Sequence, residues 1–207
     1  MAVVLEKRYE KRKKRLDRVA WGITGSGDRL VETVEVMKEI KNQYQHEVDI
    51  RVYLSKAGNK VLRYYKLMDY LRESYSRILV EIDANSPFLA GELQTGRFKF
   101  LLIAPATSNT VAKISMGIAD TLLSNSAVMG LKAFIPVYIM PSDYKEGITT
   151  TKLPNGRDLE LRIRAEDVKH VKKLADMNDV FILETPKDIK QVFKKHFGSN
   201  STPNDYN

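Results

Sequence analysis

Apolar residues along this chain fall into two rhythms, short β-branched runs and longer stretches with apolar positions three and four apart. The run 18–24 reads as a strand, and the helix after it places Leu30, Val34, Met37 and Ile40 on one face. Residues 48–54 interrupt their apolar run with Asp49, Arg51 and Tyr53, which predicts a one-sided or edge strand. Residues 58–76 read as one helix with Val61, Leu62, Tyr65 and Leu71 apolar, followed by a short strand at 78–82. The clearest buried strand is 98–104, and a long helix is expected from about Asn109 to Leu123. Further strands are expected at 133–138 and 180–183, with a closing helix from Lys187 to about His196. Strands alternating with helices predict βαβ units, hence an α/β fold with a parallel sheet and helices on both faces.

One segment breaks the alternation. Residues 149–153 and 157–163 flank Pro154-Asn155-Gly156 and read as a β-hairpin excursion from the main sheet. Asn-Gly suits a turn with positive φ at both central residues.

Composition narrows the chemistry. At 207 residues, one domain is the expectation. No apolar run reaches bilayer-spanning length, and Ala2-Val3-Val4-Leu5 gives way at once to Glu6-Lys7-Arg8, unlike a signal peptide. A cytoplasmic location is expected. Cysteine is absent, which excludes disulfides, a thiol nucleophile and cysteine-ligated metal centres. Of the net charge of +8, residues 1–18 carry +5, so a basic arm (1–17) precedes the body (18–197) and a polar, disordered tail (198–207). The arm reads as a solvated lead-in helix or as a contact for RNA, a membrane surface or an acidic partner. The body has no aromatic-rich basic stripe, which argues against nucleic-acid binding.

In an open parallel sheet, ligands bind outside the carboxyl ends of the strands where strand order reverses. After the first strand come Gly25, Ser26 and Gly27, small enough for a close approach to an anion at a helix start. A dinucleotide fingerprint would need glycine where Leu30 stands and an acid where Ser55-Lys56 stands; no Walker sequence occurs. A mononucleotide phosphate fits better. Ser55 is either a further phosphate ligand or a helix cap. After the most buried strand, Ala106, Thr107, Ser108, Asn109 and Thr110 gather hydroxyls and an amide at a helix start, more than capping requires. Small residues at Ala112, Ser115, Gly117 and Ala119 then suit close packing on a partner subunit or on the protein's own sheet.

Pro105-Ala106-Thr107-Ser108-Asn109-Thr110 resembles the Pro-Ala-Ser-Ala-Asn-Thr motif of the homo-oligomeric flavin-containing cysteine decarboxylase superfamily. Thr24-Gly25-Ser26 and Ser55 match its phosphate loops, and residues 20–25 with 54–58 are most similar to its archaeal flavoprotein branch, which includes dihydromethanopterin reductases. The resemblance implies a Rossmann-like, flavodoxin-type sheet and FMN. Gly25, Ser26, Gly27 and Ser55 would hold the phosphate, and residues 106–110 the ribityl chain and isoalloxazine. It also implies a homo-oligomer, trimeric or larger, with FMN near the subunit interface. The decarboxylases' histidine is missing between residues 55 and 76, and their Pro-x-Met-Asn motif lacks its asparagine here. An FMN electron-transfer protein or reductase is therefore expected, fed by a ferredoxin-type donor or NAD(P)H and serving a pterin-like or protein acceptor. A decarboxylase or flavin prenyltransferase, and a non-enzymatic flavin carrier, are the alternatives.

Overall fold

The computed structural model describes residues 16–198. The expected basic arm lies outside them except for its last two residues, and the expected tail lies outside them except for Gly198.

Six strands form one all-parallel sheet: β1 (Asp17–Ile23), β2 (Val48–Leu54), β3 (Ile78–Val80), β4 (Phe100–Ala106), β5 (Val137–Pro141) and β8 (Val180–Ile182), in the order β3-β2-β1-β4-β5-β8. That is the Rossmann order, reversing between β1 and β4. Every residue of β4 is buried. The pleat sorts side chains between two cores. Trp21 and Ile23 face α1 (Leu30–Gln43) and α8 (Asp188–Phe197), where Leu30, Met37 and Phe193 are buried. Ala20, Leu101 and Ile103 face the other way, toward Leu93 of α4 (Leu89–Gln94), Ile114 of α5 (Ser108–Ser115), Leu123 of α6 (Leu122–Lys132) and Leu174 of α7 (Ala165–Ala175).

Four expectations from the sequence are corrected. β2 is not an edge strand, since β3 pairs outside it. Its polar rhythm is buried instead: Arg51, 5% exposed, binds Asp49 at 3.2 Å and Glu92 at 3.5 Å, and its guanidinium lies over Phe98. The single helix expected at 58–76 is two, α2 (Lys56–Tyr64) and α3 (Met68–Ser74). The long helix expected from Asn109 to Leu123 is also two, α5 and α6. Finally, the strand expected at 133–138 begins at Val137, because α6 and its cap occupy the preceding residues.

The last three corrections have a common physical cause. Leu67 N–H reaches back to Leu62 O at 2.9 Å, Ile118 N–H to Lys113 O at 2.8 Å, and Ile135 N–H to Gly130 O at 3.0 Å. Each is the long bond of a Schellman turn, with the residue before the donor in the left-handed region. That residue is Gly117 (φ 73) after α5, but Lys66 (φ 57) after α2 and Phe134 (φ 58) after α6. A lysine and a phenylalanine are poor helix-stop signals, and Ile118 and Leu122 carry the apolar rhythm across the α5–α6 break. Gly117 is thus a stop, so Ala112, Ser115, Gly117 and Ala119 do not share one helix face.

Outside the sheet, β6 (Gly147–Lys152) and β7 (Asp158–Ile163) pair antiparallel as the expected hairpin. Of its turn residues only Gly156 takes positive φ (82), with Leu153 N–H closing on Arg157 O at 2.9 Å.

Just after β3, Glu81 ties two helix starts together. One carboxylate oxygen accepts Lys56 N–H at 3.0 Å, at the start of α2, and the other accepts Leu122 N–H at 3.0 Å, at the start of α6. Negative charge is favoured at both places. Glu81→Ala is expected to lower stability by about 1–3 kcal/mol, and Glu81→Gln, which keeps one acceptor, by less. Equilibrium denaturation of the two variants checks this, and equal losses would count against the clamp.

Candidate functional site

Thr24, 2% exposed, follows β1 and lies beside the carboxyl end of β4. Its hydroxyl donates to Pro105 O at 2.8 Å and accepts Thr107 N–H at 2.8 Å, while its own N–H donates to Pro105 O at 3.2 Å. The loops after β1 and β4 are thereby fixed edge to edge. Thr107 caps α5, its hydroxyl accepting Thr110 N–H at 3.3 Å and meeting Thr110 Oγ1 at 3.1 Å.

A cleft of about 480 Å³ opens above this junction, within the size range of small-molecule sites. Gly25, Ser26 and Gly27 line it together with Thr107, Ser108 and Asn109, so residues expected from two separate loops do converge. Among the described residues, no acceptor meets the backbone N–H groups of Gly25, Ser26 and Gly27, nor those of Ser108 and Asn109 in the first turn of α5. Open N–H groups at a helix start suit an anion. The glycines are needed for space: a Cβ on Gly25 would come 2.6 Å from the Ala57 Cβ, and one on Gly27 would come 2.4 Å from the Tyr65 hydroxyl.

Other expected residues stand behind the cleft. Ala106 is buried in β4, where its carbonyl accepts Ser142 N–H at 2.9 Å. Thr110 is buried beneath Thr107. Ser55 is a helix cap, its hydroxyl accepting Gly58 N–H at 2.9 Å, and it does not line the cleft.

Sequence reasoning missed the wall contributed by the residues after β5. Ser142 donates to Ser26 Oγ at 2.6 Å, and Ser108 donates its hydroxyl to Asp143. Placing that strand several residues early moved the following loop out of view. Asp28, Tyr64 and Tyr65 also line the cleft, and the hairpin closes one side with Thr149, Thr151 and Leu161. Tyr65 holds the hairpin there by donating to Lys152 O at 3.0 Å.

Among the described residues, the charged ones lining the cleft are Asp28 and Asp143. Burial pushes both carboxyls above their ordinary range. For Asp143 the nearby Asp167 and Asp28 add to the effect and Arg164 opposes it; for Asp28, Arg29 opposes. No histidine lines the cleft. His170 bonds Ser115 Oγ at 2.8 Å, and His196 bonds the Tyr138 hydroxyl at 2.9 Å with its pKa lowered to about 4, chiefly by burial. Among the described residues no acidic and histidine groups cluster to hold a metal, and no helix is long and apolar enough to cross a membrane. The cleft therefore offers neutral hydrogen-bond donors and two carboxyls.

A family model described as Flavoprotein matches residues 6–190. An uncharacterized protein of Methanocaldococcus jannaschii is 49% identical, aligned over 86% of this chain and 95% of its own length. A dihydromethanopterin reductase (acceptor) of the same organism is 28% identical, over 85% of this chain and 95% of its own. The crystal structure of Burkholderia xenovorans DmrB in complex with FMN, described as a cubic protein cage for redox transfer, matches with a TM-score of 0.76 at 30% identity, covering 91% of this chain and 99% of that one.

Thr24→Val keeps the shape at the junction and removes its hydroxyl. The buried Pro105 carbonyl and Thr107 N–H each lose a partner, so a loss of about 1–3 kcal/mol is expected. Thermal melting measures it; a variant as stable as wild type would show that the two loops are held by something else.

Proposed function

Because the chain belongs to the Flavoprotein family, we propose that it is an FMN-dependent reductase. The observation that carries this reading is the set of open N–H groups at Gly25, Ser26 and Gly27, at the point where strand order reverses, beside a cleft with no histidine. In this reading the glycine loop holds the phosphate. Thr107, Ser108 and Asn109 run along the ribityl chain and isoalloxazine, with Ala106 and Thr110 supporting them from behind. Bound FMN supplies the redox chemistry, and the protein supplies position, shelter from water and hydrogen bonds to the ring.

Electrons enter from NAD(P)H or a ferredoxin-type protein and leave to a small pterin-like acceptor or to a protein. The reductase name of the relative and the redox-transfer description of the DmrB structure support this direction. The DmrB cage also supports a homo-oligomer, which we take to be trimeric or larger with FMN near a subunit interface. Decarboxylation is disfavoured because His46, His170 and His196 are all absent from the cleft lining.

The protein is expected to purify yellow and to release FMN, identified by mass. The colour should bleach anaerobically with NADH, NADPH or a reduced ferredoxin. FAD in place of FMN, or a protein that ignores added FMN, would sink the reading.

Asn109→Ala gives a sharper test, since Asn109 is exposed, lines the cleft and its side chain has no hydrogen-bond partner among the described residues. Stability should stay within about 0.5 kcal/mol of wild type, while FMN affinity falls by about 1–3 kcal/mol. Unchanged affinity in a fluorescence titration would remove Asn109 from the site.

A further inference from the structure

Among the described residues the charged lining of the cleft is acidic, and Asp143 is its best-placed member. It sits just beyond the end of β5, with Ser142 anchored to the glycine loop on one side and Ser108 of α5 donating to it on the other. An ionised carboxylate offers about four acceptor sites, and Ser108 supplies the one hydrogen bond that Asp143 receives within the described chain. The remaining acceptor capacity belongs to whatever ligand enters the cleft.

We propose that Asp143 is a specificity-determining residue that accepts two adjacent N–H donors from an aminopyrimidinone ring, the edge found in pterins and in guanine. This rests on the reading of the cleft as a redox site with a small-molecule acceptor. A carboxylate pairs best with two parallel N–H donors. The pyrimidine edge of a flavin presents one N–H between two carbonyls, whose oxygens a carboxylate repels. An aminopyrimidinone edge presents an N–H beside an amino group, so it complements Asp143 where the flavin edge does not. The residue thus separates acceptor from cofactor by the sign of the hydrogen-bonding groups on each ring.

The groups facing Asp143 decide when it can do this. Asp28 comes from the loop after β1, Asp167 from α7 and Arg164 from the residue before α7, where Arg164 and Asp167 bind each other at 2.7 and 2.8 Å. Burial and the two carboxylates hold the Asp143 carboxyl above its ordinary value, against Arg164. The ionised form is the one that accepts both donors. Binding is therefore strongest above that raised pKa and weakens as pH falls through it.

Equilibrium binding without turnover tests the proposal. Oxidised pterin, guanosine and lumazine, in which a carbonyl replaces the pterin amino group, are titrated calorimetrically into FMN-loaded wild type and Asp143→Asn, and into both proteins stripped of cofactor. Wild type should bind pterin roughly tenfold or more tightly than lumazine, consistent with hydrogen bonds to a charged group. Asp143→Asn should lose that preference, bind lumazine at least as tightly as wild type does, and show no weakening of pterin binding at low pH. Guanosine binding as well as pterin would assign the edge alone as the recognised feature; pterin binding without guanosine would add the pyrazine ring. Equal wild-type affinity for pterin and lumazine, no binding of either, or undiminished pterin preference in Asp143→Asn would each overturn the proposal. Failure to retain FMN is a separate result and counts against the cofactor reading alone, since the pterin and lumazine comparison is also made without cofactor.

Discussion

The buried hydroxyl of Thr24 joins the ends of β1 and β4 at the place where the sheet changes direction, and the arrangement of the site depends on that junction. Strand order runs outward in both directions from this pair, so the helices that follow them pack on opposite faces and leave a gap between the two loops. Without the hydroxyl, Pro105 O would keep only the Thr24 N–H and the Thr107 N–H would have no partner, a costly arrangement. With the bridge, Gly25, Ser26 and Gly27 lie beside the first turn of α5, and the N–H groups that remain open collect on one side.

Around that junction the described residues place no positive side chain in the cleft lining. The anion-binding character of the cleft comes from backbone N–H groups and hydroxyls, while its charged side chains are the carboxyls of Asp28 and Asp143. Such a site distinguishes ligands by which part meets which wall. Phosphate suits the glycine loop and the helix end, whereas N–H donors suit the wall formed after β5. Tyr65 links these parts physically, with its hydroxyl above Gly27 and hydrogen-bonded to the hairpin at Lys152.

The polar residues of β2 show how a local pattern can carry the wrong message. Asp49, Arg51 and Tyr53 alternate as they would on a solvent-facing strand, yet Arg51 is buried and paired with carboxylates from its own strand and from α4. Tyr53 packs edge-on against Phe98, with ring centroids 6.2 Å apart. Burying a charge is tolerable when partners satisfy it, and those partners are not visible in the alternation itself.

The sequence by itself determined the α/β class, the apolar face of α1, the hairpin, and the two loops at Gly25–Gly27 and Thr107–Asn109, because each is encoded by neighbouring residues. Periodicity, a glycine pair and a run of hydroxyls are local signals, and local backbone preferences suffice to express them. Tertiary structure decided the rest. It ended helices at Lys66 and Phe134, where nonglycine residues take left-handed φ, and so displaced β5 from its expected place. It turned Ser55 into a cap and brought Ser142, Asp143, Tyr65 and the hairpin to the cleft. The contacts responsible join Thr24 to Thr107, Ser26 to Ser142 and Tyr65 to Lys152, over separations of 83, 116 and 87 residues. Such hydrogen bonds exist only once the sheet has placed its strand ends side by side, so no local pattern along the chain records them.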